Sequence, residues 1–165
     1  EIIDWPNTRV WSEGGYYARM FFNVKGREPQ GVIPQNEYEK FRDEVKTALE
    51  AITDEHGKNI GTKVFKPREI YREVKNIAPD LIVHFGNLDW RSAGSIGTGT
   101  IYLYENDTGP DDANHAQEGI FIWNIAPERL AEKNDSISIY DIAPSILKLL
   151  GLKPPEDMIG KSLVR

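Results

Sequence analysis

The apolar residues of this chain recur at helical spacing in two stretches, each of which predicts an amphipathic helix. In the first stretch, the residues that fall on one face are Tyr38, Phe41, Val45, Ala48, Leu49 and Ile52. Asn36 precedes them, with Glu39 three residues further on, and this pair is typical of a capped helix start. The sequence therefore predicts a helix that begins at Asn36 and continues to about residue 52.

The second helix is predicted within residues 138–152. Its inward face is formed by Ile142, Ile146, Leu149 and Leu150. Because proline lacks a backbone N–H, Pro144 fits best at the third helical position, which places the N-cap at Asp141 rather than at Ser138. Gly151 is expected to end the helix in a left-handed conformation.

Runs of β-forming residues predict the strands. Residues 16–24 form one strand, and the turn after it leads to a short return segment at 32–34, so a hairpin is the simplest interpretation. Further strands are predicted at residues 62–65, 81–85, 100–104 and 120–123, and a helical turn at 67–71. The uninterrupted apolar run at 81–85 is typical of a strand buried on both faces of an α/β sheet. Interleaved strands and helices without a repeat predict a single α/β domain over residues 1–165.

Composition narrows the class of protein. The 165 residues carry a net charge of -6 and no basic block, so binding to a nucleic-acid polymer is not expected. No apolar run approaches the roughly 18 residues of a membrane span, and no membrane association is expected. The absence of cysteine excludes disulfides, thiolate nucleophiles and cysteine zinc sites, which leaves oxygen and imidazole as metal ligands.

The chain starts at Glu1, in a segment that looks like the middle of a fold. We therefore expect either a processed terminus or a fragment of a larger protein. The expected location is the cytoplasm, with an upstream targeting signal left open.

The candidate chemistry lies in the loop that leads into residues 120–123. It contains Asp111, Asp112, Asn114 and His115. Polar side chains at the mouth of a buried strand are where hydrolytic metal sites are usually assembled. The two aspartates also fit an ordinary turn after Gly109-Pro110, and His115 equally fits a turn histidine bonded to a backbone carbonyl.

The other candidate groups favour structural roles. The three histidines are too far apart in sequence for a local ligand pair. His84 is predicted to be a hydrogen-bonded core residue and His56 a surface residue. Three arginines are candidates for binding an anionic substrate, although a salt-bridge role is the favoured interpretation of each: Arg19, Arg27 and Arg91. No nucleophile elbow, P-loop or dinucleotide motif is present.

Several segments together resemble one known family. They are residues 4–5 (DW), 14–16 (GGY), 23–29 (NVKGREP), 90–92 (WRS), 111–115 (DDANH), 141–151 and 160–163 (GKSL). With these segments the chain resembles the C-terminal portion of type I phosphodiesterase/nucleotide pyrophosphatase proteins of the alkaline phosphatase superfamily.

The resemblance implies a particular fold and metal chemistry. The fold would be the C-terminal portion of an alkaline-phosphatase-like α/β/α sandwich with a smaller, hairpin-bearing region. Two divalent metals, generally zinc or else manganese, would activate a Ser or Thr nucleophile. By this resemblance, His115 corresponds to the histidine ligand of one metal that occurs late in the family's sequence. Asp111, Asp112 and Asn114 would form the turn near it.

The nucleophile and the remaining ligands of that family belong to segments upstream of this chain. A catalytic metal typically takes about three protein ligands, so one imidazole does not fix it. The expected partner is therefore the N-terminal part of the same protein. The isolated chain is expected to be inactive.

The leading hypothesis is the C-terminal part of a metal-dependent hydrolase that acts on a small phosphodiester or nucleotide pyrophosphate. The alternatives are a non-catalytic binding or regulatory domain on the same scaffold, or one half of a split enzyme. If residues 81–85 and 120–123 lack sheet neighbours, their exposed edges predict a homodimer.

Overall fold

The computed structural model describes residues 3–95, 97–105, 109, 113–131 and 136–165. The chain forms two compact units, Glu1–Gly119 and Ile120–Arg165, which are described separately. The single domain expected over residues 1–165 stays a prediction. In the described part of the chain, no helix has the length and apolar character needed to cross a membrane.

An antiparallel sheet of four strands organises the first unit. The strands are β1 (Val10–Glu13), β2 (Ala18–Phe22), β3 (Lys63–Phe65) and β4 (Leu81–His84), in the order β1-β2-β4-β3. On β4, Val83 lies opposite Ala18 on one side and Val64 on the other. Since β4 has a neighbour on each side, the exposed edge predicted for residues 81–85 is wrong.

The hairpin differs from the predicted one. β2 pairs with β1 upstream of it, whereas the return segment at 32–34 contributes only an isolated parallel bridge between Val24 and Ile33. Buried Asn23 holds this turn, because its side-chain amide donates to the carbonyls of Trp5, Thr8 and Gln30 at 2.9–3.0 Å. A Cβ on Gly31 would lie 2.2 Å from the Val24 carbonyl oxygen, so only glycine fits this turn.

Helix α1 (Tyr38–Glu50) covers the core of the first unit with the apolar face that the spacing predicted. The core consists of Ala18, Phe22, Val24, Ile33, Val64, Leu81 and Val83. The predicted Asn36 cap is wrong, because a 3₁₀ turn (Gln35–Glu37) precedes the helix and its N-cap residue Glu37 makes no side-chain cap. A short helix, α2 (Pro67–Ile70), follows β3.

In the second unit, helix α3 (Ile142–Leu149) begins after Asp141, as predicted. The Asp141 carboxylate does not cap α3. It accepts hydrogen bonds from the backbone N–H groups of Lys161 and Ser138, which lower the pKa of Asp141. Gly151 has the expected left-handed conformation, with φ of 73°.

Two predicted strands do not form. Residues 100–104 and 120–123 have no strand conformation, and Ile120 and Ile122 are 93% and 88% exposed. A strand needs a neighbour for its backbone N–H and C=O groups, and the described residues provide none for either segment. Helices and strands do alternate along the chain, as the α/β class predicts, but the sheet is antiparallel.

The carboxylate of Asp80 joins β2, α1 and the start of β4. It is 3% exposed and accepts hydrogen bonds from the Phe22 N–H at 2.6 Å, from both terminal nitrogens of Arg27 at 2.7 Å, and from the Tyr38 hydroxyl at 2.5 Å. Hydrogen bonds to a charged group are about twice as strong as neutral ones. Burial, together with the hydrogen bond to Asp80, raises the pKa of Tyr38 to about 12.

Replacing this carboxylate should destabilise the first unit strongly. We expect Asp80→Asn to lower the free energy of unfolding by about 2–4 kcal/mol, because a carboxamide leaves partly buried donors without an acceptor. Asp43→Asn is the matched control, since Asp43 is exposed and pairs with Lys66 at the surface, and it should cost much less stability than Asp80→Asn. Urea unfolding measures the free energy of unfolding of both variants. Equal losses of stability in the two would contradict the role assigned to Asp80.

Candidate functional site

The structure describes two of the four predicted site residues. Asn114 and His115 lie in an exposed segment without regular secondary structure, residues 113–119. Asp111 and Asp112 lie outside the described residues. The geometry of the candidate site therefore depends on how residues 113–119 are attached to the first unit.

Three side chains of this segment contact residues around the C-terminal end of β4 and the start of β2. The Asn114 amide donates to the carbonyl of Leu88 at 2.5 Å. The His115 ring stacks on Tyr16, with the ring centroids 4.2 Å apart and the planes at 19°. The Gln117 amide donates to Nδ1 of His84 at 2.8 Å. These contacts fix the direction of the segment although it has no backbone ladder.

The turn after β4 has an unusual backbone. Gly86, Asn87 and Leu88 all have positive φ, at 56°, 55° and 81°. A leucine in this region is strained, and such strain is concentrated at functional sites. A Cβ on Gly86 would lie 2.6 Å from the Trp90 ring, so glycine also allows the indole to approach the backbone. The turn presents the Leu88 carbonyl to Asn114.

His84 fits the prediction of a hydrogen-bonded histidine, although its side chain is only partly buried. Its ring lies edge-on to Tyr17 and Phe65, at centroid distances of 5.8 Å and 5.2 Å. Burial lowers the pKa of His84, so the ring is neutral at pH 7. Nδ1 accepts from Gln117, which places the proton of the neutral ring on Nε2. His56, by contrast, is exposed, as predicted.

The three candidate arginines make different contacts. Arg19 pairs with Glu13 at 3.1 Å and Arg27 pairs with Asp80, as the salt-bridge interpretation predicted. The guanidinium of Arg91 lies 4.7 Å from the centroid of the Tyr16 ring, in cation-π geometry. Tyr16 thus contacts both Arg91 and His115.

Tyr16 is a residue of the site that the sequence analysis missed as a functional candidate. Its contact with His115 joins distant parts of the chain, so nothing in the local sequence pattern reveals it. The segments at 14–16 (GGY) and 90–92 (WRS) were the available signals, and both entered the family resemblance.

The described residues do not form a complete metal centre. Within residues 3–95, 97–105, 109, 113–131 and 136–165, no three histidine, cysteine, aspartate or glutamate side chains form a group that could hold a metal ion. A catalytic zinc typically takes about three protein ligands. This part of the chain alone therefore does not fit a catalytic metal.

Comparison with known proteins gives a weak sequence relationship. Over 60 residues, the chain is 37% identical to the 2,3-bisphosphoglycerate-independent phosphoglycerate mutase of Parabacteroides distasonis, an enzyme of the alkaline phosphatase superfamily. The match covers 36% of this chain and 12% of the mutase. No family model and no solved structure matches the chain. The match supports the superfamily as a coarse assignment, and it does not extend to the phosphodiesterase type.

The lowered pKa of His84 makes stability depend on pH. Because the folded chain disfavours protonated His84, the free energy of unfolding should fall as the pH is lowered from above about 6.5 toward the folded-state pKa. We expect His84→Gln to lose less stability between pH 7.5 and pH 5 than the wild type. Denaturant unfolding at both pH values is the measurement, and identical losses in the wild type and in His84→Gln would contradict the assignment.

Proposed function

We propose that this chain is the C-terminal part of a metal-dependent hydrolase that cleaves a small phosphodiester or nucleotide pyrophosphate. The observation that carries the proposal is His115, whose exposed imidazole is stacked on Tyr16 in a segment attached to the end of β4. The mutase match supports the superfamily in which such chemistry occurs.

In this proposal the chain positions one ligand. Stacking on Tyr16 restricts rotation of the His115 ring, and the Asn114–Leu88 hydrogen bond anchors the backbone next to it. Groups that orient a metal-bound histidine typically change metal affinity or activity by about 10–100-fold. Asp111 and Asp112 are assigned to the turn before the ligand.

The remaining ligands and the nucleophile are assigned to the N-terminal part of the same protein. Two divalent metals, zinc or manganese, would supply Lewis-acid stabilisation of the attacking and leaving oxygens when bound. The apolar segment at residues 120–123 fits this assignment, because Ile120 and Ile122 are exposed and the segment has strand-forming composition. Such a segment can add to the edge of a sheet from another part of the protein. A homodimer through the same segment is the competing arrangement.

The alternative function is a non-catalytic binding or regulatory domain on the same scaffold. It is favoured by the absence of a three-ligand group among the described residues. One half of a split enzyme is the third arrangement, and it predicts co-purification with a separate N-terminal subunit.

Hydrolysis of bis(4-nitrophenyl) phosphate tests the proposal. With added zinc or manganese, we expect no appreciable hydrolysis by this chain alone and clear turnover by a longer protein that contains it. In the longer protein, His115→Ala should lower kcat by about 100-fold or more, since removing a ligand should cost at least as much as removing a group that orients it.

His56→Ala is the matched control in the longer protein, because His56 is an exposed histidine of the same unit. It should leave turnover unchanged. Robust turnover by this chain alone, or a His115→Ala enzyme with full activity, would contradict the proposal. A longer protein that binds phosphate esters without cleaving them would favour the regulatory domain.

A further inference from the structure

A cavity of about 710 Å³ lies in the first unit beside the start of β4, whereas the segment that carries His115 is attached near the end of that strand. None of residues 113–119 lines the cavity. Small-molecule sites typically have volumes of about 300–1,000 Å³ and combine apolar walls with a few polar groups. The cavity therefore has the size of a ligand site, and the proposed function makes no use of it.

Part of the lining is apolar and open to solvent. Ile77 is 91% exposed, and the other apolar residues that line the cavity include Val74, Ala78 and Pro79 from the same stretch of chain. Transfer of such apolar surface out of water is favourable. This part of the cavity therefore favours the aliphatic portion of a ligand.

The charged lining residues differ in how they are paired. Every acidic side chain that lines the cavity has a basic partner: Glu28 and Asp80 pair with Arg27, Glu39 with Arg42, and Glu69 with Lys46. Lys66, another lining residue, pairs with Asp43. Arg68 also lines the cavity, is exposed, and forms no ion pair with any residue that the structure describes. Its guanidinium is therefore the charge that an anionic ligand can neutralise.

Arg42 gives a second, independent indication of an anionic ligand. Its terminal nitrogens donate to the Tyr38 hydroxyl and the Glu39 carboxylate. Its Nε–H is buried and has no hydrogen-bond acceptor in the described part of the chain. A buried donor without an acceptor costs free energy, and a ligand oxygen that reaches Nε would remove that cost.

We propose that this cavity binds a small aliphatic carboxylate, whose chain packs against Ile77 and Val74 and whose carboxylate pairs with Arg68. A guanidinium can donate two parallel hydrogen bonds to a carboxylate. Acidic and basic residues are equally numerous in the lining, four of each. A single negative charge is therefore favoured over the double charge of a phosphate, which the lining carboxylates repel more strongly. The site is independent of the proposed function.

Binding of octanoate to the metal-free chain at pH 7 tests the proposal, measured by calorimetry and by saturation-transfer NMR of the ligand protons. Acetate lacks the aliphatic chain, 1-octanol lacks the charge, and octylamine carries the opposite charge. We expect octanoate to bind at least about tenfold more tightly than acetate, and at least about fivefold more tightly than 1-octanol or octylamine. Octyl phosphate should bind more weakly than octanoate, because it carries a second charge.

Variants at exposed positions locate the site. Arg68→Gln should weaken octanoate binding about fivefold or more and leave 1-octanol binding unchanged, because only the ion pair is lost. Arg68→Lys keeps the charge and should retain part of the affinity. Ile77→Ser should weaken octanoate binding several-fold. Arg72→Gln is the matched control, because Arg72 is an exposed arginine of the same stretch that does not line the cavity. Its affinity for octanoate should equal that of the wild type.

Three results would overturn the proposal. The first is no binding of octanoate, or equal affinity for octanoate, 1-octanol and octylamine. The second is tighter binding of octyl phosphate than of octanoate, which would refute the preference for a carboxylate. The third is wild-type affinity for octanoate in a folded Arg68→Gln chain or in a folded Ile77→Ser chain, which would place the ligand outside this cavity.

Discussion

The buried carboxylate of Asp80 is the interaction on which the first unit depends. It accepts hydrogen bonds from two nitrogens of Arg27, from the hydroxyl of Tyr38 and from the backbone N–H of Phe22. Arg27 also donates a hydrogen bond to the Phe22 carbonyl. One residue thereby joins the central strand pair, the turn after β2 and helix α1. Removing one partner of such a network lowers the free energy of unfolding by more than the intact network adds to it, because the remaining groups stay buried without partners. The placement of β4 follows from this connection.

The candidate site in turn depends on β4. His84 ends this strand, and the left-handed turn at residues 86–88 follows it directly. The side chains of Asn114 and Gln117 bind to this region, so an irregular segment acquires a defined position from a regular scaffold. Functional residues are commonly carried on loops that a rigid framework positions. The stacking of His115 on Tyr16 completes the arrangement.

Local patterns in the sequence predicted the elements with strong periodicity and missed those that depend on distant partners. The apolar spacing predicted α1, and Pro144 with Gly151 predicted the limits of α3, because these signals lie within the element itself. β1 was missed because Val10–Glu13 is short and half polar. Residues 120–123 have the composition of a strand but no neighbour among the described residues, and composition does not reveal pairing. Likewise, His115 was identified as a candidate, while its contact with Tyr16 has no signature in sequence spacing.

The central claim is that His115 is one ligand of a metal centre completed by residues outside this chain. Zinc K-edge X-ray absorption on a longer, zinc-loaded protein that contains the chain tests this most directly. With His115 as a ligand, the spectrum should show imidazole scattering at a Zn–N distance of about 2.0–2.1 Å, and His115→Ala should lose one imidazole from the coordination sphere. A coordination sphere that is the same in the wild type and in His115→Ala would contradict it.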